Sequence, residues 1–405
     1  MGHVAWFLFA IGCMGSASST VFLGLALLGT IRFRGQSGEQ ARAVSKLQDS
    51  DLPPVSILKP LHGNETQLEK NIESFFQQDY PAYEILLAVD HEDDAALPIA
   101  LAVCARYPAI PSRVLVTGEP PWPNPPAYSF ARMAEVATHE ILVTSDSDVI
   151  VSPSYLREVV PPLMDPKIGM LTCVYRGLNR GGLWSNMDAI GMSVEMTAGV
   201  MVANLLEGIK FGLGPTIVVR RDALEGIGGY RSLGDYFSND FAIGNMIAAE
   251  GREIVLSRHI ITHVVPPMSF KKMWHRQVRW ATGTRRSRPL GHLGTGLIFA
   301  TPFGILAAIT GPAVHHGLLG AGLLGWSILN RMIESMLIGW GVTRSRESLT
   351  RPWLYPLRDL LGFSVWLASY MSRSMRWRDG RFELVRGGKI LQRDRNGNVI
   401  HMGAS

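Results

Sequence analysis

Hydrophobic positions fall into two patterns along this chain: long uncharged runs near both ends, and short runs between polar turns in the middle. Residues 4–31 carry no charged side chain, a length that exceeds the roughly 20 residues needed to cross a bilayer. Arg32, Arg34, Arg42 and Lys46 follow that run, so the positive-inside rule places residue 32 onward on the cytoplasmic side. A cleaved signal peptide would carry its charges ahead of the apolar stretch. Residues 1–34 therefore read as a retained anchor. Residues 35–54 are polar, end in Pro53-Pro54 and read as a linker.

From Val55 the pattern shortens. Residues 55–61 predict a first strand. Residues 68–77 have helical spacing, with Leu68, Ile72, Phe75 and Phe76 on one face. Residues 83–89 predict a second strand, which ends in the acidic run Asp90-His-Glu-Asp-Asp94. A helix over 95–107 and a strand over 113–116 follow. Such alternation predicts an α/β domain with a mostly parallel sheet and right-handed crossovers. A Pro-rich loop, 118–128, leads to a helix over 129–137. Ile141, Leu142 and Val143 then form a short apolar run of the kind a doubly covered strand requires. Further strands are expected at 168–174, 216–220 and 253–256. A helix starting near Ser238 spans 238–249.

The apolar stretch 183–208 contains Asp188, Glu195 and Glu207, which makes it a poor span. It reads either as a helix on the membrane side of the domain or as a plain core helix. Residues 268–288 combine Lys, Arg, Trp and Met with helical periodicity, the signature of an interfacial amphipathic helix. Residues 293–314 and 318–342 are candidate spans. Arg331 and Glu334 in the second are one turn apart and able to pair. Residues 353–371 are interrupted by Arg358-Asp359 and read as interfacial or re-entrant. The predicted order is an anchor (1–34), a linker (35–54), an α/β domain (55–268), an interfacial helix (269–290), a transmembrane region (291–372) and a basic cytoplasmic tail (373–405) with Arg373, Arg376, Arg378 and Arg381.

Composition changes this picture little. The chain has 405 residues, 18% charged, with a formal net charge of +5. Basic residues flank the hydrophobic segments, which suits an anionic membrane face, and no Lys/Arg run interleaved with aromatics points to nucleic acid. Cys13, Cys104 and Cys173 lie far apart and form no metal or redox spacing, so free thiols in a reducing compartment are expected.

The candidate chemistry begins at the end of the 141–143 run, in Ser145-Asp-Ser-Asp148. Ligands of open α/β sheets sit at the carboxyl edge. Two carboxylates at i and i+2 can share a hard divalent cation that also holds phosphate oxygens. Asp146 and Asp148 are therefore candidate ligands of Mg²⁺ or Mn²⁺ beneath a nucleoside diphosphate. A dinucleotide-binding domain would need Gly-x-Gly-x-x-Gly after the first strand, where this chain has Lys59-Pro-Leu-His-Gly-Asn64. Asp240 stands in a first helical turn, either as a helix-end carboxylate or as a reactive one. Arg276 and Arg279 share a helix face, as a phosphate clamp or as membrane anchors.

Several stretches together resemble the ceramide glucosyltransferases and their bacterial relatives, including hopanoid-pathway glycosyltransferases. They are Leu58-Lys-Pro-Leu61, Phe75-Phe-Gln-Gln-Asp-Tyr-Pro81, Asp93-Asp94, Ser145-Asp-Ser-Asp148, Arg220-Arg-Asp222, Asn239-Asp240, Arg276-Gln-Val-Arg-Trp280 and Trp377-Arg-Asp-Gly-Arg381. The resemblance implies a membrane-bound inverting glycosyltransferase of the GT-A type with transmembrane helices at both ends. It further implies a UDP-sugar donor held by Lys59, Asp93, Asp94, Asp146, Arg276, Arg279 and Trp280. Metal would sit at Asp146 and Asp148, Asp240 would be the catalytic base, and a membrane lipid such as ceramide or a hopanoid would be the acceptor. Asn239 stands where the eukaryotic enzymes resemble Glu-Asp, which leaves the acceptor open. A processive polysaccharide synthase of the same fold would carry Gln at the position of Arg276. A non-catalytic membrane scaffold is the remaining alternative, against which every acidic position is filled. The location implied is the cytoplasmic face of a membrane, in a bacterium the inner one.

Overall fold

The computed structural model describes residues 2–371, 374–377, 380–385 and 387–392. The chain divides into two compact units. One, formed by 34–175, 209–264 and the C-terminal stretch from Ser374, is built on an eight-stranded sheet. Its strands are β1 (Val55–Pro60), β2 (Tyr83–Val89), β3 (Ser112–Val116), β4 (Ile141–Ser145), β5 (Val149–Ile150), β6 (Ile168–Asn179), β7 (Thr216–Arg220) and β8 (Glu253–Val265). Their order is β3-β2-β1-β4-β7-β6-β8-β5.

The first four strands pair in parallel, as the strand–helix alternation predicts. The other half differs from the expectation: β7 runs antiparallel to β4 and β6, and β5 antiparallel to β8. The sheet is mixed rather than mostly parallel. β6 and β8 have 12 and 13 residues, well beyond the predicted 168–174 and 253–256. Polar residues within them, such as Thr172, Arg176, Arg258 and His259, hide their extended character from a search for apolar runs.

Side chains alternate along each strand. Ile57, Ile85 and Val143 face one core with Ile72 and Phe75 of the helix Leu68–Phe76 and Val103 of the helix Ala96–Arg106. Leu58, Leu86 and Leu142 face the other, with Phe130 and Met133 of the helix Pro125–Val136 and Ile243 and Ile247 of the helix Asn239–Ala249. Covering on both faces is why β1, β2 and β4 read as unbroken apolar runs. The helix Pro125–Val136 starts earlier than predicted because Pro125 suits the first helical position and Asn124 caps it, its side chain accepting from Ala127 N at 3.1 Å.

The stretch expected as a basic tail contains strands β9 (Ser374–Trp377), β10 (Gly380–Leu384) and β11 (Ile390–Gln392), a three-stranded antiparallel sheet. Phe237 N donates to Gly388 O at 2.9 Å, and Ile390 N to Asp235 O at 2.7 Å. These bonds attach the small sheet to the segment just ahead of Asp240. Arg373, Arg378 and Asp379 lie outside the described residues.

The second unit, 1–33, 176–208 and 265–373, is helical. Gly2–Val44 and Leu183–Leu206 are the two helices among the described residues long and apolar enough to cross a membrane. The first packs closely on the second: a Cβ on Gly29 would lie 2.3 Å from Met201 O, so only glycine fits. Leu183–Leu206 is one helical stretch with a π-helical turn at Gly191–Met196, and such turns concentrate at functional places. The expected 293–314 span is divided at Pro302 and Pro312, leaving a ten-residue helix, Thr301–Thr310, about 15 Å long. The 318–342 stretch forms Gly317–Glu334 and a second π-helical turn, Ser335–Trp340. Arg331 and Glu334 do pair, at 2.9 Å.

Candidate active site

β1 and β4 are neighbours, so Lys59 and Asp146 meet at the carboxyl edge of the sheet. Lys59 is 0% exposed. Its Nζ donates to the backbone carbonyl of Asp146 and sits 4.3 Å from the centroid of the Phe75 ring. Burial lowers its pKa to about 8, against the opposing pull of Asp148, Asp146 and Glu65. Lys59 therefore acts from beneath the site, through Asp146.

Asp146 follows β4. Burial and the charge of Asp148 raise its carboxyl well above the usual range, with Lys59 opposing and Asp240 adding to the rise. A position this hostile to lone negative charge favours a cation. Asp148 is held by the antiparallel half of the sheet: Val264 N donates to its carbonyl at 2.7 Å, and Val149 pairs with His263. That register brings His263 Nδ1 to 3.3 Å from Asp148 Oδ1. No ligand spacing surrounds His263 in the sequence. The signal that would find it is the inward alternation of Ser257, His259, Ile261 and His263 along β8, all buried.

Asp240 opens the helix Asn239–Ala249. Phe241 N donates to its Oδ1 at 2.8 Å. Burial nonetheless outweighs the backbone donors, including Gly214, and raises its carboxyl above the ordinary range. Gly214 explains how Asp240 comes beside Asp146. A Cβ there would lie 3.2 Å from Asp240 Oδ2 and 3.8 Å from Asp146 Oδ2. The two carboxylates thus flank one glycine that sequence reasoning did not single out.

Asp94 accepts from Gly63 N and Ala96 N, both at 2.8 Å, and lies 3.5 Å from His62 Nδ1. It ties the loop after β1 to the loop after β2, both at the carboxyl edge. Asp93 is an exposed turn residue.

Arg276, Arg279 and Trp280 lie on the helix Phe270–Ser287 of the helical unit, which Ser269 caps. Arg276 Nη2 is 3.2 Å from Asp188 Oδ2, and Asp188 is 0% exposed. Gln277 Nε2 donates to the other oxygen of the same carboxylate. The Arg276 guanidinium also stacks 4.5 Å from the Trp280 ring centroid. Burial and Arg276 lower the pKa of Arg279, so an incoming anion would relieve both. The network continues: Arg358 donates to Gln277 Oε1 at 3.2 Å and pairs with Glu195 at 3.0 Å. The spacing gave Arg276 and Arg279 one shared helix face and no partner in the chain; Arg276 is anchored by a carboxylate 88 positions earlier.

Among the described residues no group of three or more His, Cys, Asp or Glu side chains could hold a metal ion. Asp146 and Asp148 alone, the second held by His263, would suit a cation that keeps most of its positions for water and phosphate oxygens.

A GT-A-type mixed sheet with acidic residues at the ends of β2 and β4 defines the class as glycosyltransferase. The mannosyltransferase PcManGT from Pyrobaculum calidifontis, solved with GDP-Man and Mn²⁺, shares this fold. The likeness has a TM-score of 0.51 over 89% of this chain and 98% of that one, at 16% identity. The family profile described as glycosyl transferase family 21 matches residues 18–390, and the chain belongs to that family. It is 23% identical to ceramide glucosyltransferase 1 of Caenorhabditis elegans over 353 residues, 84% of this chain and 74% of that protein. Ceramide glucosyltransferase 3 of the same organism is 23% identical over 85% of this chain and 75% of its own length. The protein is a glycosyltransferase of that family.

Proposed function

We propose that this protein transfers a hexose of the glucose or N-acetylglucosamine type from a UDP-sugar to a hydroxyl of a membrane lipid such as ceramide or a hopanoid, with inversion. The observation that carries the reading is the pair Asp146 and Asp240 on either side of Gly214. One carboxylate belongs to the strand-end Asp-Ser-Asp that suits a diphosphate, and the other opens a helix and has raised basicity.

In this reading Asp240 takes the proton from the acceptor hydroxyl. The acceptor oxygen attacks the anomeric carbon from the face opposite the diphosphate, and the bond from that carbon to the diphosphate oxygen breaks. Asp146 and Asp148 would hold Mg²⁺ or Mn²⁺, with His263 orienting Asp148, and the metal when bound would supply charge neutralisation for the leaving group. Lys59 fixes the Asp146 backbone. Asp94 shapes the loops around the nucleotide, with Asp93 at their surface. Within the helical unit Arg276 and Arg279 form a paired positive site that suits an anion, with Asp188 fixing the first. Trp280 offers a flat wall beside them.

The helix Gly2–Val44, with Arg32, Arg34 and Arg42 beyond its apolar part, supports attachment to a membrane with the sheet unit on the cytoplasmic face. The test is incubation of purified protein with UDP-glucose, UDP-N-acetylglucosamine and a lipid extract, followed by mass spectrometry of the lipids. A lipid heavier by one hexose unit supports the reading. Polymeric sugar, or donor binding with no glycosylated lipid, would replace it with the synthase or the scaffold.

A further inference from the structure

Within the helical unit, the turn that precedes the helix Leu183–Ile190 and the turn that precedes the helix Leu354–Met371 enclose a cavity of about 510 Å³. Three features of its lining point to a ligand with two different polar ends. Asn186 is 5% exposed, and its Oδ1 has no hydrogen-bond partner among the described residues. A buried amide oxygen of this kind calls for a donor. Arg351 is exposed and forms no ion pair among the described residues. Gly182 lines the same cavity; it precedes the helix Leu183–Ile190 with φ +84° and provides no side-chain cap. The free N–H groups of that first turn make the helix start an anion-favouring end. The rim is apolar: Leu183 is 53% and Trp353 57% exposed, the amphipathic pairing found where proteins meet the polar boundary of a bilayer.

We propose that this cavity binds the headgroup of a phospholipid. Its phosphate lies between Arg351 and the start of the helix Leu183–Ile190. Its ammonium or hydroxyl terminus donates to Asn186 Oδ1, and its acyl chains leave past Leu183 and Trp353. The cavity recognises an anion at one end and a hydrogen-bond donor at the other, a combination that a simple anion or an uncharged diacylglycerol lacks. The site is a membrane-lipid site in its own right, and its occupancy does not depend on which sugar or acceptor the enzyme uses.

The experiment is native mass spectrometry of the full-length protein in mild detergent, titrated with dihexanoyl phosphatidylethanolamine, dihexanoylglycerol or inorganic phosphate. The expected result is saturable binding of one phosphatidylethanolamine, at least tenfold tighter than either other probe. Arg351→Gln and Asn186→Leu should each weaken it by about tenfold or more. Arg351 is at the surface, so its substitution remains informative if the buried Asn186 variant fails to fold. Equal binding of dihexanoylglycerol would overturn the proposal by showing no phosphate recognition. Equal binding of inorganic phosphate would overturn the lipid assignment in favour of a free-anion site. Unchanged affinity in folded Arg351→Gln would remove the cavity from consideration altogether.

Discussion

Asp188→Asn isolates the anchoring of Arg276. The carboxylate is 0% exposed and lies 3.2 Å from a guanidinium whose side chain is 17% exposed. At an effective dielectric constant of about 20, unit charges at that separation attract by roughly 5 kcal/mol. Partial exposure of Arg276 and the desolvation of both groups offset part of this. Removing one partner of a buried pair costs roughly 3–5 kcal/mol, and the exposure of Arg276 places this pair near about 3 kcal/mol. Asparagine keeps an oxygen for Gln277 but turns an N–H₂ donor toward the arginine. The assay is equilibrium unfolding in mild detergent for Asp188→Asn, Arg276→Gln and the double variant. The double variant should be more stable than the sum of the single losses predicts, with a coupling of about 2–3 kcal/mol, because it leaves no unpaired charge. Simple additivity, with coupling below about 0.5 kcal/mol, would refute the claim that Asp188 holds Arg276.

Turnover should require Mg²⁺ or Mn²⁺ and be lost in Asp146→Ala, while His263→Ala should raise the metal concentration needed for half-activity by about 10-fold or more; full turnover in excess EDTA contradicts this. Because the Asp240 carboxyl is raised, kcat/KM should fall as pH drops through a value above the ordinary carboxylate pKa of about 4, and a profile flat down to that range contradicts the assignment. Stability runs with the opposite sign. Asp146 binds its proton more tightly in the folded state, so the metal-free protein should lose stability as pH rises through its raised pKa, and Asp146→Asn should melt higher than wild type at neutral pH without metal. A cysteine replacing Gln48 should resist a membrane-impermeant thiol reagent in intact cells; rapid labelling would reverse the topology.

The parallel half of the sheet was legible because β1, β2 and β4 are buried on both faces, which forces continuous apolar sequence. The strand-end position of Asp146 and Asp148 followed from the same run. The antiparallel half was not legible. β6 and β8 carry buried polar residues such as Thr172, His259 and His263, whose partners Thr216, Glu158 and Asp148 lie in distant segments. Pairing register, not local spacing, brings His263 to Asp148. In the same way Asp188 reaches Arg276, and Gly214 brings Asp240 beside Asp146, only once distant segments fold together. Burial outweighs the backbone donors around Asp240, and burial is a tertiary property that local sequence does not carry. At the C-terminus, the basic residues drew attention away from alternation that folds into β9–β11.

The most direct measurement of the central claim compares wild type with Asp240→Asn on the same detergent-purified preparation. UDP-sugar affinity is read by calorimetry and transfer by glycolipid formation. The substitution keeps the size of the side chain and one oxygen for Phe241 N, but removes its basicity. If Asp240 is the base beside Asp146, donor affinity should stay within a few-fold of wild type and transfer should fall by roughly 10²-fold or more. A variant that binds the donor normally and still glycosylates lipid near the wild-type rate would contradict the account.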